Sequence, residues 1–178
     1  MADDPLASNN KIHVGYTLGH LSEVSPDVLI QASMVPEIFP IAGEEDWQGK
    51  WRLWRSYFSM VYYYASEYGI QRFAMHNEPN HPLMLIDPDE WLMRAALCAD
   101  AADRAIEAVN RRKDTELRAL LFVPVTAGDI GDPFTGPYKL YGQPILERWD
   151  LDFLGERTGR PLYANYAIQR YNASPENF

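Results

Sequence analysis

Residues 72 to 82 read RFAMHNEPNHP, an apolar run that stops at amide, carboxylate and imidazole side chains. If the run is a strand, alternation places His76 and Glu78 on one side and Asn77 on the other, until Pro79 breaks the pattern. A glutamate at a strand end, beside an amide, suits general acid/base work on an ether-like oxygen. Apolar surroundings and a second carboxylate favour the protonated acid. The stretch predicts an acid/base site, with a plain polar turn as the alternative.

The same stretch also holds metal-ligand types in His76, Glu78 and His81. Their spacing differs from the His-Glu-x-x-His pattern of a zinc helix, and Pro79 disfavours a regular helical presentation. We therefore predict no metal and no other cofactor at this site.

Four short apolar runs alternate with helical patterns along the chain. Predicted strands cover residues 27–33, 70–75, 117–125 and 162–171, and predicted helices cover residues 47–68, 87–110 and 145–157. The first helix carries one apolar face and ends at a glycine suited to a C-cap; the face consists of Trp51, Trp54, Phe58, Val61, Ala65 and Tyr68, followed by Gly69. The second begins with a capping signal, Asp87-Pro88-Asp89-Glu90, and its apolar face is Trp91, Ala95, Cys98, Ala102, Ile106 and Val109.

This order of elements predicts parallel strands joined by right-handed crossovers, in a doubly wound sheet or a (β/α)8 barrel. No glycine-rich phosphate loop follows a strand, which removes the usual support for a nucleotide-binding sheet. Polar residues near strand ends, among them Glu78, Asp129 and Tyr171, favour the barrel. We predict an α/β fold of the (β/α)8 TIM-barrel type, partial in this chain and covering residues 27–178. Residues 1–26 are expected to form a lead-in with one short strand.

Composition excludes several classes of function. The net charge of −9 argues against a nucleic-acid partner, because phosphate binding needs clustered Lys and Arg. The sequence contains no run of 18 apolar residues, so it predicts no membrane helix. The polar start MADDPLASNN does not resemble a signal peptide. The single cysteine, Cys98, rules out a disulfide framework within one chain. The 5 Trp and 11 Tyr suit either sugar stacking or a large core, and Trp47, Tyr141 and Trp149 are candidates for stacking.

A strand ending in Asn-Glu-Pro after a Trp/Tyr-rich helix and Tyr-Gly resembles the fourth strand of clan A retaining glycoside hydrolases. The longer run YFSMVYYYASEYGIQRFAMHNEPNHP, with AVNRR, VPVTAG and YAIQRYN later in the chain, resembles glycoside hydrolase family 86 over about residues 27–175. That family comprises agarases and porphyranases that cut β-linkages in red-algal galactans. The resemblance implies a polysaccharide substrate, a secreted or periplasmic location, and about strands three to six of the barrel in this chain.

The resemblance also implies roles for single residues. It makes Glu78 the general acid/base and Asn77 the ligand of the sugar 2-hydroxyl. The other expected substrate-binding residues are His76, Asn80, His81, Gln169, Tyr171 and Glu37. Gln169 and Tyr171 lie two residues apart, on one face of the implied sixth strand, and a tyrosine near there commonly orients the nucleophile in clan A enzymes. Glu37 follows the first predicted strand and is expected to line the cleft.

A retaining mechanism needs a second carboxylate about 5 to 5.5 Å from the first. In clan A it comes from the seventh strand, which the resemblance places beyond this chain. Glu147 and Glu156 have the sequence context of solvated helix positions. Two hypotheses therefore stay open: part of a retaining endo-glycosidase, or a truncated, non-catalytic relative that at most binds carbohydrate. A half barrel exposes strand edges, so we expect self-association or a complementing subunit.

Overall fold

The computed structural model describes residues 28–31, 38–74, 86–127 and 164–169, with the backbone alone for residues 122–127 and 164–169. Its elements in chain order are β1 (Leu29–Gln31), α1 (Trp47–Tyr68), β2 (Arg72–Ala74), α2 (Pro88–Lys113), β3 (Leu120–Ala127) and β4 (Ala164–Gln169). The two helices have 22 and 26 residues, whereas β1 and β2 have three residues each, so helix dominates this part of the chain.

The four strands form one parallel sheet in the order β1-β2-β3-β4. Phe73 and Leu121 are register partners, are 0% and 3% exposed, and belong to the same core cluster as the helices. Leu29 and Leu120 both pair with Arg72 at the neighbouring register position, and these leucines are 44% and 40% exposed. Because alternate residues of a strand point to opposite faces, the helices cover one face and leave apolar side chains on the other partly exposed.

Helix α1 begins and ends where local chemistry dictates. The Asp46 carboxylate accepts hydrogen bonds from the backbone N–H groups of Gly49 and Ala42, both at 2.9 Å. A Cβ on Gly49 would lie 2.8 Å from the Pro40 carbonyl oxygen and would also collide with the Asp46 carboxylate, so this position needs glycine. At the other end Gly69 adopts φ 67°, a left-handed conformation that glycine takes without strain. Its backbone N–H donates a hydrogen bond to the Ala65 carbonyl oxygen.

The Asp46 cap makes stability depend on pH in acid. Hydrogen bonds from Ala42 and then Gly49 hold the pKa of Asp46 below its ordinary 3.8. At acid pH the folded chain therefore binds fewer protons than the unfolded chain. The contribution of ionised Asp46 to the free energy of unfolding is fully present above pH 3.8 and is lost as the pH falls through the lower pKa of the folded state. Chemical unfolding between pH 6 and pH 2.5 should show Asp46→Asn losing less stability than the wild type across that window. Parallel pH curves for the two proteins would contradict the assignment.

Helix α2 follows its predicted start signal. The Asp87 side chain accepts from the backbone N–H groups of Asp89 and Glu90, and Pro88 occupies the first turn. The Glu90 carboxylate pairs with Arg94 one turn further on. The helix continues to Lys113, three residues beyond the predicted end, and closes with Arg111, Arg112 and Lys113, which suit the negative end of the helix dipole.

The two helices are joined by a buried polar contact. The Asp100 carboxylate, whose residue is 3% exposed, accepts a 2.6 Å hydrogen bond from the Trp54 indole N–H. Arg104 donates to the other carboxylate oxygen at 3.1 Å. Because an unpaired carboxylate at this depth would be costly, both partners are needed. The contact fixes how α1 and α2 sit against each other.

The apolar face predicted for α2 is confirmed, and all six of its residues are buried. The face predicted for α1 is partly wrong. Trp51 is 36% exposed, and Phe58 and Tyr68 are half-buried, whereas Leu53 and Tyr57 are buried. The cause is stacking along the helix: the rings of Trp51, Trp54, Phe58 and Tyr62 stand with centroids 5.1, 5.2 and 6.1 Å apart. Trp54 belongs to the core, and the other three rings of the stack lie at its margin.

The (β/α)8 barrel prediction is wrong. Within the described residues, β1 and β4 are the two ends of a small open sheet, and two long helices supply most of the structure. A barrel buries the inner face of its sheet under layers of side chains, whereas Leu29 and Leu120 are substantially exposed here. Alternating strands and helices dictate parallel pairing, but they do not dictate closure.

The individual elements fare better. The four predicted strands overlap β1, β2, β3 and β4, and the parallel pairing is confirmed. The predicted helix at residues 145–157, the lead-in of residues 1–26 and its short strand lie outside the described residues. In the described ranges, no helix combines the length and apolarity that crossing a membrane requires.

Candidate functional site

The carboxyl ends of the parallel strands form the edge of the sheet at which the sequence predicts the site residues. Gln31 and Ala74 end β1 and β2, and they are register partners. Ala74 also pairs with Phe122 of β3, which continues to Ala127. We call the ends of β1 and β2 the short edge.

Gln169 is the only predicted site residue whose backbone the structure describes. It is the last residue of β4 and pairs with Ala127, five residues beyond Phe122 on the same strand. At about 3.3 Å per residue, the end of β4 lies roughly 15 Å beyond the short edge along the strand direction. The structure does not bring the backbone of Gln169 beside Ala74.

The remaining predicted site residues lie outside the described residues, and they are Glu37, His76, Asn77, Glu78, Asn80, His81 and Tyr171. Their chain positions relative to the sheet are still informative. Glu78 comes four residues after the end of β2, and Glu37 comes six residues after the end of β1. Both segments therefore leave the sheet from adjacent strands.

The segment that contains Glu78 is held at both ends by buried residues. Ala74, the last residue of β2, is 0% exposed, and Ile86, which precedes α2, is 4% exposed. Both belong to the buried core, with Ile86 in the same cluster as Phe73. The chain thus enters and leaves residues 75–85 at two points packed in the interior.

A buried tyrosine binds the carbonyl at which β2 ends. Tyr57 of α1 is 3% exposed, and its hydroxyl donates a 3.2 Å hydrogen bond to the Ala74 carbonyl oxygen. Burial, and secondarily the neighbouring Cys98, raises the pKa of Tyr57 well above its ordinary value of 10.0. The hydroxyl therefore stays protonated and remains a donor at any physiological pH.

A buried arginine binds the segment that follows β1. Arg94 of α2 is 0% exposed, and its Nη1 donates a 2.8 Å hydrogen bond to the Phe39 carbonyl oxygen. Its Nε and Nη2 both donate to the Glu90 carboxylate, at 2.9 and 2.6 Å. Pairing and hydrogen bonding offset the cost of burying the charge, and the geometry orients the guanidinium toward Phe39.

Sequence reasoning missed both Tyr57 and Arg94. Arg94 carried a usable signal, because it lies three residues after Trp91 and beside Ala95 on an otherwise apolar face. A charged residue in such a place requires a specific partner. Tyr57 carried a weaker one, its position four residues before Val61.

The stacked rings of α1 cover part of the aromatic surface that a sugar would need. In the stack from Trp51 to Tyr62 the rings cover one another's faces, with interplanar angles of 12 to 18°. Trp47 is 65% exposed and is therefore the better candidate. The other two candidates, Tyr141 and Trp149, lie outside the described residues.

Within the described ranges, no group of three or more His, Cys, Asp or Glu residues is placed to hold a metal ion. The lone Cys98 is fully buried, and burial raises its pKa far above the ordinary value, so it stays a protonated core thiol.

Comparisons with protein-family models, with curated proteins and with solved structures find no match to this chain. The resemblance to glycoside hydrolase family 86 stays a prediction from the residues quoted above.

Proposed function

We propose that this chain takes part in retaining hydrolysis of a β-linked polysaccharide of the agarose or porphyran type. Glu78 is the general acid/base, and Asn77 binds the sugar hydroxyl beside the bond that is cut. The proposal is carried by one observation: Asn77-Glu78-Pro79 follows the carboxyl end of a buried strand in a parallel sheet, within a segment anchored at both ends.

The position of the motif supports a functional role over a plain turn. In parallel α/β folds, functional side chains collect in the segments that follow the carboxyl ends of the strands. Asn77 comes three residues after Ala74, the last residue of β2, and Glu37 follows the neighbouring strand β1.

The same arrangement suggests where a second carboxylate arises. Retaining hydrolysis needs two carboxyl groups about 5 to 5.5 Å apart. Glu37 and Glu78 follow adjacent strands whose last residues are register partners. Glu37 is one source of the nucleophile, and a complementing subunit or additional chain is the other.

A panel of agarose, porphyran, xylan and mannan oligosaccharides tests the proposal. We expect cleavage of a β-linked galactan with retention at the anomeric carbon, followed by NMR. Specific activity that rises with protein concentration would indicate that a second subunit supplies the nucleophile.

Three outcomes of the panel count against the proposal. Cleavage of xylan alone would contradict the galactan assignment. Binding of a glycan without cleavage would favour the non-catalytic, carbohydrate-binding alternative. Neither cleavage nor binding of any member would contradict both functions.

A further inference from the structure

Two buried side chains of the helices donate hydrogen bonds to main-chain carbonyls outside the helices. The Tyr57 hydroxyl bonds the carbonyl at which β2 ends, and the Arg94 guanidinium bonds Phe39, between β1 and α1. The buried carboxylate of Asp100, by contrast, bonds only to side chains of the two helices in the contacts described above. Tyr57 and Arg94 instead reach out of the helical layer toward the sheet's connections.

We infer that Tyr57 and Arg94 are positioning residues, which fix the main chain next to the segments that carry the proposed site residues. The inference rests on the proposed function, since what they position is the chain leading into Glu78 and the segment after Glu37. Neither residue touches the substrate. Each acts through a carbonyl of the main chain.

The contacts suit this role because they are rigid. Tyr57 is 3% exposed and Arg94 is 0% exposed, so packing allows neither side chain to move freely. The Arg94 fork is also fixed by two hydrogen bonds to Glu90, which leaves the remaining nitrogen aimed at Phe39. Catalysis requires placement within fractions of an ångström, and buried supporting groups provide it.

Two conservative variants with matched controls test the inference. Tyr57→Phe removes one hydroxyl, and its control is Tyr63→Phe, where the tyrosine is 47% exposed and its hydroxyl faces Tyr68. Arg94→Lys keeps the charge but loses the fork, and its control is Arg112→Lys, an exposed arginine of the same helix whose Nη1 donates to the Tyr62 hydroxyl of α1.

The first readout is the kinetics of galactan hydrolysis. Loss of positioning lowers kcat by about tenfold in Tyr57→Phe and Arg94→Lys, with KM within about twofold of the wild type. The controls keep the wild-type kcat. A purely structural role would instead lower the amount of active protein and leave the turnover per folded molecule unchanged. Equal kcat values for the variants and their controls would overturn the inference.

The second readout, amide deuterium exchange, does not depend on activity. Tyr57→Phe should raise exchange of peptides that cover residues 70–74, and Arg94→Lys should raise exchange of residues 38–46, each more than its control. If the wild type cleaves no glycan, the proposed function fails and exchange still decides whether these residues anchor the edge. Exchange that matches the controls would overturn the inference in that case as well.

Discussion

Replacing Glu78 with glutamine is expected to reduce cleavage of an unactivated polysaccharide by about 10²- to 10⁴-fold, the usual contribution of a general acid/base. Glutamine has nearly the shape of glutamate, but its amide cannot give a proton to the leaving oxygen. Binding and the unfolding midpoint should stay close to those of the wild type. The measurement is the initial rate of reducing-end release, with glycan affinity determined separately.

The leaving group sharpens this test. The phenolate of an aryl β-glycoside with an acidic phenol leaves without protonation. The rate of the first chemical step in Glu78→Gln should therefore recover on such a substrate. The matched control is Glu116→Gln, which removes the same charge from an exposed glutamate just before β3, at the opposite edge of the sheet. Unchanged turnover in Glu78→Gln, or an equal loss in Glu116→Gln, would remove Glu78 from the mechanism.

Local signals predicted the helices well. The limits of α1 match the predicted residues 47–68. Its C-terminal limit could be predicted from a single residue, the glycine at which the helix ends. The start of α2 was predicted as accurately for the same reason: Asp87 and Pro88 act within one turn. The apolar face of α2 also followed from residue spacing alone, because residues three or four apart lie on one side of a helix. Ala95 and Cys98, on this face, are both buried.

Tertiary contacts account for what the sequence could not predict. The apolar stripe of α1 did not show that Trp51 would stack on Trp54 at the margin while Tyr57 entered the core. Sheet closure is likewise absent from hydrophobic periodicity, because an open parallel sheet and a barrel require the same alternation of elements. Polar residues at strand ends favour a barrel, but they also occur at the carboxyl edge of open sheets.

The candidate site divides in the same way. Asn77-Glu78-Pro79 is visible as a motif, because its residue types are chemically unusual at the end of an apolar run. The supporting residues are not visible as a motif. Tyr57 lies 17 positions from the carbonyl it binds, and Arg94 lies 55 positions from Phe39. Only the packing of α1 and α2 against the sheet brings these groups together.

Leu121→Ala should lower the free energy of unfolding by about 2 to 5 kcal/mol, the range for truncating a buried leucine. Leu121 is 3% exposed, pairs with Phe73 in the sheet and packs into the core that the helices cover. Alanine would leave a cavity between the sheet and the helices, which lie on this face. Urea unfolding followed by circular dichroism gives the difference directly.

Leu120→Ala is the matched control, because the two leucines are adjacent on β3 and make the same change in side-chain volume. Leu120 points to the other face and is 40% exposed, so its truncation should cost about 1 kcal/mol or less. A closed barrel would bury both leucines, one under the helices and one in the interior, and the two losses would then be similar. The ratio of the two losses therefore measures whether the sheet is covered on one face, and equal losses would contradict the open sheet described here.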